Sequence, residues 1–474
     1  MRRAKRKRLL IAAVVIVLLV AAGGVVGWYK LFRRVPVYYA SAEEHFKYGS
    51  VGAEEPAGIP YLIWLVLPRM FPEKLPGPGG YTALGAVWEE GRELPIGFTK
   101  MTIGFPRVAV NCAACHTTTV RLTPKDKPSM FPGGPSSRFQ PQAYLRFLFA
   151  CASDPRFNAD NIMREIERVQ KLSFLDKMLY RYLIIPQTKK TLVKQQNEDY
   201  TWMNSRPDWG PGRTDMNPFQ LVVMRLPDNH SIGSTDIMAI WNQKAHEGFL
   251  RHSDGLNSTL IEPVLSAALA AGATKDSLDV DGLTRVNQWL IDLPSAKYPY
   301  AIDQTLAAKG SEIYAGQCAS CHAFGGATTG KIVPIEEVKT DPNRMNHWPQ
   351  SAADSFNKYA EGYPWVFRNF RSSKGYVAVP LDGVWARAPY LHNGSVPTLL
   401  DLLEPPENRP KIFYRAYDVY DQQRAGFVSS GPEAEREGWR YDVSVTGNGN
   451  EGHVWGTTLT ADEKRALVEF MKTL

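Results

Sequence analysis

Four of the five cysteines fall in two copies of one pattern, Cys112-Ala113-Ala114-Cys115-His116 and Cys318-Ala319-Ser320-Cys321-His322. Two thiols separated by two residues can each add to one vinyl group of the same porphyrin. The imidazole that follows then reaches the iron as the proximal ligand. The chemistry this predicts is covalent attachment of two haem c groups through Cys112, Cys115, Cys318 and Cys321, with His116 and His322 on the irons. A four-cysteine zinc ribbon would bring its pairs within roughly 15–20 residues of each other and would need no His after each pair. Disulfides suit an oxidising compartment but leave both His unexplained. The fifth cysteine, Cys151, reads as a small buried hydrophobe.

Stepping outward, 474 residues leave room for two to four domains. The net charge of +7 is concentrated in Arg2, Arg3, Lys5, Arg6, Lys7 and Arg8, and removing those six leaves +1 for everything else. No basic surface is implied, so nucleic acid is not an expected partner. No P-loop pattern occurs. Leu9 to Trp28 is an uncharged run of 20 residues, long enough to cross a bilayer as a helix. The basic cluster before it should stay cytoplasmic, with Trp28 and Tyr29 at the far interface. A cleaved signal peptide is the competing reading, against which Val20-Ala21-Ala22 makes a poor cleavage site. Either way the bulk is exported, where covalent haem attachment is carried out in bacteria.

The elements that must position the motifs follow in order. Residues 29–105 are rich in Pro, Gly and aromatics and read as an irregular collar with short helices. Ile59 to Phe71 is apolar except for Arg69, but it carries Pro60 and Pro68 and is too short for a second span. A first unit, 106–298, holds the first motif, a helix from Pro141, and another capped by Asn158 or Asp160. Residues 196–232 read as loop. Gly282 to Leu293 reads as a helix stopped by Pro294. A second unit, 299–474, opens with a helix from about Asp303 that runs into the second motif. Residues 404–452 form a long irregular segment of the kind that carries function or covers a site. Thr460 and Glu463 form a capping box for a last helix with Leu467, Phe470, Met471 and Leu474 on one stripe. A weak internal repeat links the units. Trp241 leads to Asp254-Gly255 and Thr259-Leu260, and Trp385 leads to Asn393-Gly394 and Thr398-Leu399. The expected fold is therefore mainly α: two cytochrome c-like haem domains with long irregular loops, preceded by one transmembrane helix over 9–28 behind a cytoplasmic tail of 1–8.

Around Ala388-Pro389-Tyr390-Leu391-His392-Asn393-Gly394 the chain resembles the bacterial di-haem cytochrome c peroxidase superfamily, which carries two CxxCH domains and a comparable loop in the second. His252-Ser253-Asp254-Gly255 resembles the corresponding first-half loop. The run Gly383-Val384-Trp385 to Pro397 and the Gly452-His453 segment are most similar to the branch containing rubber oxygenase A. The likeness spans most of residues 100–474. The departures are informative. Where the peroxidases carry a ligating Met downstream of the loop His, this chain has Pro406. The Trp that the family places between its haems is replaced by Ser253, with Trp241 and Trp385 as candidate substitutes and core packing as their ordinary role. The rubber oxygenase A branch, with a bis-His second haem and an open first haem, fits these departures better.

The resemblance implies His453 as sixth ligand of the second iron, and His392 as a neighbour that orients a propionate or the ligand loop. Met345 would raise the potential as a ligand, but packing is its ordinary role. For the first iron, His246, His252 and Phe249 are the candidates near the open face. A His ligand would close the iron into an electron carrier, and an apolar neighbour would leave it reactive. Arg213 and Arg387 could hold propionates through bidentate contacts or serve in structural ion pairs.

The reading is a single-pass inner-membrane cytochrome, its bulk periplasmic, that carries out electron transfer as a haem-dependent oxidoreductase acting with peroxide or dioxygen. The alternative is a non-catalytic electron-transfer cytochrome of a membrane or periplasmic redox chain. Both require a redox partner protein in the inner membrane or periplasm. A bridging calcium enters only by analogy with the family.

Overall fold

The computed structural model describes residues 2–226 and 230–474, leaving aside the side chains of 2–5, 216 and 217. Part of the loop expected over 196–232 thus lies outside the described residues. The basic tail and the apolar run form one continuous helix, Arg2–Leu31. Within Arg6–Leu31 the most apolar 18 residues have a mean hydropathy of 3.1, and none of them is buried in the protein. A helix this apolar and this bare suits a membrane anchor or a signal sequence.

The helix does not end in a free tether. Arg34–Val35 pairs antiparallel with Ile103 and Thr102, on the edge of a hairpin formed by Phe98–Ile103 and Phe105–Val110. Ile59–Pro60 closes the other edge, giving a four-stranded antiparallel sheet. The stretch expected as an irregular collar with short helices, 29–105, holds the short helices Ala42–Tyr48 and Tyr61–Met70 and contributes three strands to this sheet, whose central hairpin continues across 105/106. Gly104 makes the hairpin turn at φ +72°, where a Cβ would lie 2.3 Å from the carbonyl carbon of Leu31, so only Gly fits. The sheet positions the first motif. Strand Phe105–Val110 runs into Asn111, whose Oδ1 accepts from the Ala113 amide and whose Nδ2 donates to the Gly49 carbonyl at 2.9 Å. Asn111 thereby caps the short helix Cys112–Cys115 and ties it to the preceding segment.

Behind the sheet lies the largest core, where Trp64, Phe98, Phe139, Tyr144 and Phe147 pack with Ile162 and Ile166. Trp64 stacks on Tyr81 at 4.3 Å between ring centres. The helix Tyr61–Met70 is buried in this core and is not a second span. Helices Pro141–Ser153 and Ala159–Val169 form as the sequence indicates, the second capped by Asn158. Cys151 is fully buried among them. The stretch read as loop holds a helix, Met216–Met224.

The second unit opens with Gln304–Gln317, capped by Asp303 and ending at Cys318. It packs along the C-terminal helix Ala461–Met471. Gly310 makes the close approach possible, since a Cβ there would lie 2.0 Å from the Ala466 carbonyl oxygen. The capping box on the C-terminal helix forms as expected. Thr460 accepts from the Glu463 amide, and Glu463 Oε2 accepts from the Thr460 amide at 2.8 Å. Thr460→Ala is expected to cost about 1 kcal/mol of stability in urea unfolding, with Ser restoring it.

The internal repeat survives as structure. Gly255 N donates to the His252 carbonyl at 3.2 Å and Gly394 N to that of Leu391 at 3.1 Å. Both turns put a non-glycine residue at positive φ, 64° at His252 and 67° at Leu391. Each is closed by a bridge, Arg251 with Asn257 and Tyr390 with Val396. The halves are knitted by buried polar contacts. Asp418 accepts from Thr119 at 2.7 Å and Arg121 at 2.6 Å. Arg344 pairs with Asp254 at 3.1 Å, and His347 with Asp215 at 2.7 Å. Burial at this depth is tolerated because each charge has a partner. The segment 404–452 is not shapeless: Ile412–Arg415 pairs with Trp439–Asp442, and Tyr420–Asp421 with Gly426–Phe427.

Candidate haem sites

The two motif His share one arrangement. His116 Nδ1 lies 3.0 Å from the Met238 carbonyl, and His322 Nδ1 lies 2.7 Å from the Val379 carbonyl. A carbonyl only accepts, so in both rings Nδ1 carries the proton and Nε2 keeps its lone pair. This is how metal-ligating imidazoles are oriented. Burial lowers the affinity of both rings for a further proton, that of His116 to about 4, so each stays neutral and able to ligate. The thiols beside them are likewise held protonated by burial, Cys112 and Cys318 pushed up to about 11 and Cys115 to about 12. Yet all four keep accessible surface.

The second site has a matched opposite face. The His453 ring stands 6.2 Å from that of His322, centre to centre, at 43°. Two metal–nitrogen bonds of about 2 Å plus half a ring on each side come to roughly 6 Å, so the gap is the width of one iron. His453 sits at φ +45° behind Gly452 at φ +72°. A Cβ on Gly452 would lie 2.3 Å from the carbonyl carbon of Lys339, so the loop needs Gly to come this close. The His453 amide donates to the Val338 carbonyl at 2.8 Å.

Sequence reasoning missed the residue that fixes this loop. Arg409, 1% exposed, donates to the carbonyls of Asn450 at 2.6 Å, Gly452 at 2.8 Å and His453 at 2.9 Å. It also holds those of Glu404 at 3.0 Å and Leu402 at 3.2 Å. No local pattern marks it, because its partners lie far along the chain. Arg409→Ala leaves these buried carbonyls without their donor and is expected to destabilise the protein by about 3–5 kcal/mol in urea unfolding, with Lys restoring only part. Val333, Val338, Tyr376 and Ala378 complete the wall around Cys321, with Met345 packed against the same group.

His392 is stacked on Tyr376 at 3.9 Å and 14°, and its Nε2 is buried without a hydrogen-bond partner. Burial lowers its proton affinity to about 3. Arg387 donates to the Pro380 carbonyl at 2.9 Å and pairs with Asp382 at 3.0 Å, leaving its Nε unpartnered. Arg213 is fully buried between Trp209 and Tyr441, bonded to Ser234 at 2.6 Å and Asn448 at 2.7 Å, again with Nε unpartnered.

The first site differs. Among the described residues no imidazole stands against His116 as His453 stands against His322. His252 is the nearest in kind. Its Nε2 is buried and unpartnered, its ring lies 6.2 Å from Phe370, and Phe370 belongs to the cluster on which Cys112 packs. Burial first, then the charges of Arg344 and Arg251 and the neighbouring His116 ring, lower its proton affinity to about 3. His246 and Phe249 have neighbours beside the second motif. His246 Nε2 is 3.1 Å from Asp382, and its ring meets Phe249 at 5.9 Å and Phe324 at 5.7 Å. Phe249 also packs on Gly330. This pair therefore borders the second motif, because Asp382 draws His246 toward it. Trp241 lies between the halves: it contacts Gly134 on one side and Gly383 on the other, with Nε1 donating to the Asp382 carbonyl at 3.1 Å. Trp385 is core, ringed by Phe131, Tyr298 and Tyr420. Among the described residues no group of three or more His, Cys, Asp and Glu gathers to hold a free metal ion.

A family model described as RoxA-like, cytochrome c-like, matches residues 375–414, which include the loop at His392. An uncharacterized Sinorhizobium fredii protein, y4iM, is 30% identical over 286 residues, which is 50% of this chain and 64% of that protein. A second from the same organism, y4iJ, is 26% identical over 477 residues, 77% of each chain. The match to y4iM thus spans less than two thirds of that protein's length. The chain carries a cytochrome c-like domain, and haem c is the group such a domain takes.

Proposed function

We propose that this protein is a membrane-anchored di-haem c-type cytochrome related to the di-haem cytochrome c peroxidase superfamily, on the rubber oxygenase A-like side. Its second haem is a closed electron carrier, and its first is the place where a small oxidant, peroxide or dioxygen, is met. The observation that carries the reading is the opposition of His322 and His453 across one iron's width. When bound, haem supplies one-electron exchange and, where a face is open, a site for a small oxidant.

The chain's own residues divide the remaining work. Cys112, Cys115, Cys318 and Cys321 hold the groups covalently. Met238 and Val379 fix the tautomers of His116 and His322. Arg409 keeps His453 in place, and Arg213 and Arg387 offer buried cationic donors to propionates. His252 presents an unpartnered, neutral Nε2 at the first site and can exchange one hydrogen bond with whatever enters there. The helix over residues 2–31 keeps the protein at the inner membrane, its bulk periplasmic and facing a redox partner there.

A second reading has its own support. Were His252 to reach the first iron, both haems would be closed and the protein would be a carrier without catalysis. Optical and electron paramagnetic resonance spectra of the purified ferric full chain separate the two. One low-spin and one high-spin haem, the latter changing with peroxide or with dioxygen after reduction, is the expected result. Two low-spin haems indifferent to both would replace the enzyme by the carrier.

A further inference from the structure

The helical run from Phe174 to Asp199 buries Tyr180, Ile184, Ile185 and Leu192 in the largest core. Its opposite side is also apolar, which a solvated surface helix would not be. Phe174 is 80% exposed and Tyr182 68% exposed, with Leu175 and Leu183 beside them. Such a patch needs a cover.

Its position indicates which. Lys30, in the last turn of the helix over 2–31, donates to Asp176 at 2.7 Å. Phe105, next to the Gly104 turn on which Leu31 packs, lies 6.3 Å from Tyr180. The patch therefore adjoins the place where the apolar helix emerges, continuous with the interfacial residues Trp28 and Tyr29. Charge agrees. Residues 159–194 carry eight basic and four acidic side chains, whereas the whole chain beyond its first eight residues is nearly neutral. An open groove of about 360 Å³ beside the patch is bordered by Phe174, Met178 and Met163 and by Arg164, Lys177 and Arg181, of which Lys177 pairs with Glu167 and Arg181 with Asp160 on the same rim. Apolar side chains flanked by cations at one level are what a helix needs to lie in the headgroup region of an anionic bilayer.

We infer that Phe174, Leu175, Tyr182 and Leu183 form a second membrane contact, an interfacial helix that rests on anionic phospholipid beside the anchor. The inference rests on the anchoring proposed above. It holds the body against the bilayer with a fixed face down.

The test uses the full chain, one copy per nanodisc containing phosphatidylglycerol, with Phe174→Cys or Tyr182→Cys and a water-soluble maleimide. Cys151 is buried and the other thiols are consumed by haem, so the background is low. Ile412→Cys, at an exposed position on the second unit, is the reference. Both patch thiols are expected to react at least ~10-fold more slowly than the reference. Exchanging the lipid for phosphatidylcholine should speed them several-fold. Reaction at the reference rate in phosphatidylglycerol overturns the contact, and rates indifferent to headgroup charge overturn its lipid preference. The intact mass of the mature chain tests the anchor separately. If residues 2–31 have been removed, the body should still sediment with phosphatidylglycerol vesicles and be released by Phe174→Asp with Tyr182→Asp. Failure to sediment then overturns the contact.

Discussion

Replacing His453 with Ala is expected to turn the second haem from low spin to high spin, removing its entire low-spin signal from the ferric spectrum. The ring it loses is the one placed 6.2 Å from His322. The fold should survive, because the loop is held through main-chain atoms, by Arg409 on three carbonyls and by the amide of His453 on Val338. His392→Ala is the control. His392 is stacked flat on Tyr376, and its loss should leave the low-spin signal in place. A His453 variant that stays low spin would pass the ligand role to His392 or Met345.

Cys318→Ser combined with Cys321→Ser is expected to reduce covalently bound haem from two per chain to one, read as pyridine haemochrome against protein. The low-spin signal assigned to His322 and His453 should vanish with it. Cys112→Ser with Cys115→Ser should remove the other haem and spare that signal. The pairs are separable because each motif His has its own carbonyl, Met238 for one and Val379 for the other. Two covalent haems in either double variant would end the reading of these motifs.

What could be read from the sequence was local or strongly patterned. Asn158, Asp303 and Thr460 cap helices within three residues of themselves, and the apolar run declares its helix by length. The motifs carry their chemistry within five residues. What escaped depends on distance. The hairpin Phe98–Val110 pairs across Gly104 with Pro106 inside a strand, which reads as loop. Helix Met216–Met224 carries Pro218 in its first turn, where Pro is compatible with a helix but its presence suggested a loop. His246 is bonded to Asp382, 136 positions on, and Arg409 reaches carbonyls more than 40 positions on. Neither contact leaves a period or a spacing. The repeat of the His252 and Leu391 turns was visible as Gly-to-Thr spacing only because the turn geometry forces Gly at one place in each.

The close seat of Gly310 against Ala466 bears on how the protein is made. The helix that presents Cys318 and the helix that covers it stand at opposite ends of the second unit, so their meeting closes a long loop and is a slow, late event. Until then Cys318 and Cys321 lie at the end of an uncovered helix, open to whatever machinery joins them to haem. Afterwards that helix end is flanked by the C-terminal helix, although both thiols keep some accessible surface. Haem joined before closure would meet an open helix end, and the segment that carries His453 and leads into the C-terminal helix would complete the site last.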